Sequence, residues 1–244
     1  MSLLFTFTLL ILSVLVGGGV VSFLEKTNKE KIIKLLLAFS GGFLLSIAFI
    51  HFLPELYHHA DESIGIWILV GFLVQLILEF FSGGIEHGHI HHHHGAKIPW
   101  GVLIALGIHS FVEGIPLAAP FIGEVTATTH HHGGENTLLM GIIFHQVPVA
   151  ISLMVLLLAG GIKQSKAWLI MFIFALTTPA GLVLGLMSKE LIFALNFDII
   201  LALVVGMFLH ISTTIIFETN ENHKFNLIKL ISILVGFATA IFIH

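Results

Sequence analysis

Eight stretches of this chain stay apolar for about the 20 residues a helix needs to cross a hydrocarbon core, and no other feature limits its folding so strongly. They run over 3–24, 32–53, 64–81, 98–121, 138–158, 167–187, 192–217 and 225–243. A chain that is 57% hydrophobic and only 10% charged has lipid as its solvent. The breaks between runs are the length of connecting loops, so residues 1–244 are read as a single transmembrane domain. The expected fold is an all-α integral membrane protein of eight transmembrane helices.

The first run lacks a basic leader and an evident cleavage site and exceeds a signal core in length, so it is expected to be retained as a span. Cysteine is absent, which excludes disulfides and thiolate ligation of metal. The net charge of -4 is scattered over short segments, and nucleic acid is not expected as a partner.

Orientation rests on the ten lysines, since arginine is absent. Cationic residues near span ends favour the cytoplasmic side. Lys26, Lys29, Lys31 and Lys34 surround the first turnaround, Lys97 marks the third, Lys163 and Lys166 the fifth, and Lys224 and Lys229 the seventh; Lys189 alone lies opposite. Odd-numbered turnarounds are therefore expected in the cytoplasm and both termini outside. The expected location is the plasma membrane, or the inner membrane of a bacterium. Trp67, Trp100 and Trp168 each open a span, where an indole suits the headgroup boundary.

This topology puts a histidine-rich loop, about residues 83–97, in the cytoplasm. It contains His87, His89, His91, His92, His93 and His94. Neutral imidazoles suit zinc, copper, nickel and iron, so the loop could capture metal; it could equally be a polar loop with incidental affinity. His130, His131 and His132, with Glu124 and Glu135 nearby, form an outer cluster open to the same two readings.

Ionisable side chains deep in a span cost about 2.5–3.5 kcal/mol on insertion scales and usually have a partner or a task. The fourth span carries His109 and Glu113, four residues apart and hence on one helix face, followed by Pro116 and Pro120. The fifth carries His145, Gln146 and Pro148, again near mid-membrane. Prolines are expected to break both helices and free polar backbone groups there. Antiparallel neighbours joined by a short loop would bring His109, Glu113 and His145 onto one cation, a donor set matching zinc; a hydrogen-bonded structural pair would use the same spacing.

Further intramembrane groups form a candidate pathway: His51 and Glu55 at the outer end of span two, Glu79 near the inner end of span three, and His210 and Glu218 in the inner half of span seven. Glu55 and Glu218 could also sit at the interface and pair locally. Gly42 to Glu55 and Gly206 to Glu218 share a pattern of glycine, apolar stretch, histidine and glutamate, in spans that cross in opposite senses as inverted repeats do.

These motifs resemble the ZIP family of metal transporters, over essentially the whole chain. His109-Ser110-Phe111-Val112-Glu113-Gly114 is similar to that family's His-Asn-x-x-Asp/Glu-Gly signature, and His145-Gln146-Val147-Pro148 to the start of its His-Glu-x-Pro-His-Glu signature. His51-Phe52-Leu53-Pro54-Glu55, the histidine-rich loop and the external termini are also family-like. The resemblance implies an inverted-repeat bundle with spans four and five central, a homodimer, and downhill or elevator-type movement of Zn(II), Fe(II) or related ions into the cytosol. Where two-metal members place Asn, an acidic residue and a bridging acidic or histidine ligand, this chain has Ser110, Gln146 and Val149. We therefore expect one metal site, His109, Glu113 and His145, with Ser110 and Gln146 beside it as transient contacts.

The expected function is transport of a divalent transition-metal cation, most of all Zn(II), into the cytoplasm. Metal enters as cargo, and no catalytic cofactor is expected. One carboxylate against a divalent ion leaves the site net positive, which favours release. Proton competition for the histidines should slow transport at acidic pH. An intramembrane zinc hydrolase is a rival, but the chain has no His-Glu-x-x-His motif. A metal exporter or sensor is the other, distinguished by the direction or absence of flux.

Overall fold

The computed structural model describes residues 2–21, 29–59, 63–82, 98–122, 134–187, 197–217 and 227–243, and every regular element among them is helical. The chain is an all-helical membrane protein. Among the described residues, seven helical stretches are long and apolar enough to cross a membrane, and a shorter apolar helix covers Leu227–Phe242. Glu218, the loop histidines and the outer histidine cluster lie outside the described residues.

Span one is α1 (Leu3–Val20), with Ser2 as N-cap accepting from the Phe5 amide at 3.3 Å. Span two begins as α2 (Lys29–Ile47), passes through a π-helical turn (Ala48–Phe52) and ends as α3 (Leu53–His59). The cause is local: Pro54 has no N–H and its ring would crowd the carbonyl of Ile50, and one widened turn before it relieves that clash. The span thus continues past the expected end at Leu53, and His51 sits within the widened turn.

Span three is α4 (Ile64–Ser82). Span four is α5 (Trp100–Gly114), then a 3-10 turn (Ile115–Ala118) and a last helical turn, α6 (Ala119–Ile122), so Pro116 and Pro120 interrupt it as expected. Span five does not follow that expectation. It is one α-helix, α7 (Gly134–Ala159), running through Pro148. Proline there removes a single donor, and tertiary packing outweighs the loss. The Phe144 ring, one turn before the proline, meets Phe39 and Phe43 of span two edge-on at 5.6 and 4.9 Å. Gly161, with φ of 77°, turns the chain after α7, and the Ile162 amide closes back on Leu157 at 3.1 Å.

Span six is split instead, into α8 (Gln164–Ala175) and α9 (Thr177–Met187), at Leu176. Pro179 leaves the Ala175 carbonyl without its helical donor, and the Thr177 hydroxyl donates to the Phe174 carbonyl at 2.6 Å. Span seven is α10 (Phe197–Phe217) and span eight α11 (Leu227–Ile243).

Packing sorts the spans into two groups. Spans two and eight pack closely, as do seven and three, and two and seven also meet. In the other group span one packs on five and six, and span four on six. Contacts of α2 with α7 and of α4 with α5 join the groups.

Three crossings share one device. Gly42 lies against the Ile233 carbonyl and Gly236 against that of Phe39; Gly71 against Leu203 and Gly206 against Ile68; Gly114 against Thr178 and Gly181 against Phe111. In each case a glycine faces the carbonyl three residues before its partner glycine, so close that a Cβ would not fit. Small residues allow such backbone approach in lipid, where packing and not hydrophobic exclusion holds helices together.

Candidate metal centre

Helix periodicity puts His109 and Glu113 one turn apart on α5, and Nε2 of His109 lies 2.8 Å from Oε1 of Glu113. From α7, His145 turns its ring toward them, with ring centroids of the two histidines 5.6 Å apart and planes at 81°. One ligand atom from each of the three residues lies within 4.8 Å of the others. All three are at most 1% exposed. Among the described residues, neither Glu113 oxygen has a hydrogen-bond donor.

A zinc ion with bonds of about 2.0–2.1 Å holds tetrahedral ligand atoms roughly 3.3 Å apart. The His109–Glu113 distance is already inside that value, and side-chain rotation could bring in His145. Two imidazole nitrogens and a carboxylate oxygen suit zinc and neighbouring transition metals.

Partners fix the rings from behind. Nδ1 of His109 donates to Oε1 of Gln75, 2.9 Å away on α4, and Nδ1 of His145 lies 3.4 Å from Oγ of Ser40 on α2. Gln75 and Ser40 are fully buried. Sequence reasoning overlooked both, because a neutral side chain in an apolar span does not announce a partner in another span. The available signal for Gln75 was its standing one turn before Glu79 on one helix face.

Gln146, next to His145, is committed elsewhere. Its Nε2 donates to Oγ1 of Thr178 at the break in span six, and its Oε1 faces Oγ of Ser13 on span one at 2.9 Å. The Ser13 hydroxyl has one proton to share between that amide and the Leu10 carbonyl at 2.8 Å. This polar layer ties spans one, five and six together. Ser110, next to His109 in sequence, and Val149, one turn beyond His145, are both buried.

Among the described pathway candidates, Nε2 of His210 and Oε2 of Glu79 are in direct contact, and Phe72 stacks edge-on against the His210 ring at 4.7 Å. Gln75 and Glu79 thus reach from one face of span three to His109 and His210 respectively. His51 and Glu55 are half-buried, one turn apart on span two.

The fold and this centre define a polytopic helical membrane protein with two histidines and a glutamate buried together between its fourth and fifth spans. The family model described as ZIP zinc transporter matches residues 1–99 and 86–244, and the chain belongs to that family. It is 24% identical to the zinc transporter ZupT of Chlorobaculum parvum over 247 residues, covering 91% of this chain and 90% of that protein. It is 33% identical over 83 residues to the mouse zinc transporter SLC39A7, covering 26% of this chain and 17% of the relative. The zebrafish (Danio rerio) zinc transporter ZIP10 is 26% identical over 134 residues, covering 53% of this chain. This chain spans only 17% and 15% of the lengths of the mouse and zebrafish relatives.

Proposed function

We propose that the chain carries a divalent transition-metal cation, Zn(II) above all, into the cytoplasm, binding it at His109, Glu113 and His145. The observation that carries this reading is the convergence of three buried ligand atoms within 4.8 Å at the meeting of two spans. Family membership and relatives named as zinc transporters support it. The chain acts as a carrier and not as an enzyme.

The metal is cargo, so the centre must bind and let go. Two neutral imidazoles and one carboxylate leave a bound divalent ion with a net charge of +1, which limits retention. A single ion is held, because Val149 has no donor atom and the Gln146 amide is engaged by Ser13 and Thr178. The lysine distribution supports inward transport in the plasma membrane, or in the inner membrane of a bacterium, with both termini outside. The contact of Glu79 with His210, reached from the same face of span three as His109, supports an inner exit route past those two residues. The halves of the chain act as inverted repeats. The reading draws support from the matched crossings of span two on eight and span seven on three, each with the same reciprocal glycine contacts.

Zinc uptake into proteoliposomes tests the proposal. Saturable uptake by the native chain is expected, lost in His109→Ala and in His145→Ala with the proteins still monodisperse. Uptake indifferent to both substitutions would refute the site.

A further inference from the structure

We propose that Gln75 is a positioning residue for the metal centre, setting the tautomer of His109 from outside the helices that carry the ligands. The inference rests on the transport reading above.

Gln75 is fully buried on α4, and its Oε1 lies 2.9 Å from Nδ1 of His109. An amide oxygen only accepts, so Nδ1 carries the ring proton and the lone pair of the neutral imidazole falls on Nε2. That nitrogen is 2.8 Å from Oε1 of Glu113. Two lone pairs at this distance repel unless a positive charge lies between them. The pair is therefore held ready for a cation. With the amide reversed, its nitrogen would donate to Nδ1, the proton would move to Nε2, and the ring would have to lose it before ligating metal. The direction of one buried hydrogen bond decides whether His109 is a ligand.

The source of that bond adds a consequence. Span four packs on span six, whereas Gln75 belongs to span three, which packs on span seven. The Gln75–His109 bond crosses between the two groups of helices. Sliding of span four along span three would break it, freeing the ring to turn and lowering metal affinity as the cargo leaves. Gln75 is anchored against such motion, because one turn on Glu79 holds His210 of span seven.

The test has two arms on the full chain. Nitrogen-15 NMR of ring-labelled protein in detergent, with the His109 signal identified by its loss in His109→Ala, is expected to report an Nδ1–H tautomer in the native chain. In Gln75→Leu a mixture is expected. Zinc titration and uptake should show apparent affinity falling about 10- to 100-fold in Gln75→Leu, the usual range for losing an outer partner of a ligating histidine. Gln75→Glu keeps the acceptor and should restore affinity to within a few-fold of native. An Nε2–H tautomer in the native chain would overturn the proposal, as would native zinc affinity in a folded Gln75→Leu protein. The spectrum is independent of uptake: a native chain that moves no metal refutes transport, while the tautomer still decides the Gln75 assignment.

Discussion

Gly206→Ala tests the packing that holds span seven against span three. A Cβ at Gly206 would lie 2.7 Å from the Phe72 nitrogen and closer still to the Ile68 carbonyl oxygen, whereas ordinary contact begins at 3.4 Å. The helices would have to separate by at least 0.7 Å to reach that contact with Phe72, and both obstructing atoms are main chain, so no side chain can rotate away. Overpacking costs about 1–3 kcal/mol when neighbours can adjust, and rigid backbone places this case near about 3 kcal/mol. At about 2–4 °C per kcal/mol for a chain of this size, the midpoint of thermal inactivation should fall by about 6–12 °C. The assay heats detergent-purified protein and measures the monodisperse fraction by size exclusion. Gly19→Ala is the control, because its Cβ would meet only the Trp168 ring, at 3.9 Å. It should match the native protein or exceed it slightly, alanine being the better helix former by about 1 kcal/mol. If Gly206→Ala melts within about 2 °C of the native chain, less than the shift expected from 1 kcal/mol, the interlocked-glycine argument is wrong.

Lys229 donates to the carbonyls of Ile215 (2.7 Å) and Ile216 (3.2 Å), closing the C-terminal end of span seven from span eight. Lys229→Met should destabilise by about 3 kcal/mol, as two hydrogen bonds from a charged donor are lost, and the same heating assay reads it. Gln146→Leu strands the Ser13 and Thr178 hydroxyls at a cost of about 1–3 kcal/mol. It should still bind zinc with near-native affinity by titration, and loss of binding in a folded protein would instead make Gln146 a ligand. Glu113→Gln keeps the shape of the centre but removes its negative charge, leaving a bound divalent ion with no counter-charge from these three residues. Zinc affinity should drop by at least about tenfold, or about 1.4 kcal/mol, with little change in melting temperature, checked by parallel titration and heating. His145→Ala should lower bound zinc by one equivalent in metal analysis of the purified chain; an unchanged ratio would place the metal elsewhere.

The sequence by itself determined the solvent of this protein, the positions of its spans and the pairing of His109 with Glu113. Each of these depends on local rules: about 20 apolar residues cross a bilayer, and residues four apart share a helix face. The approach of His145 followed from the same rules once two neighbouring spans both placed histidine at mid-depth. Tertiary structure decided what local rules could not. Pro148 was expected to break its helix, yet α7 runs on through it, with Phe144 packed against Phe39 and Phe43 of span two, whereas the break in span six falls at Leu176 just before Pro179. The bond from Gln75 to His109 joins residues 34 positions apart, and that from Ser13 to Gln146 spans 133. Neutral amides and hydroxyls carry no charge or period that would mark such partners in advance. Their meeting depends on which helices cross and at what depth, and that is set by glycines pressed against the backbone of another span.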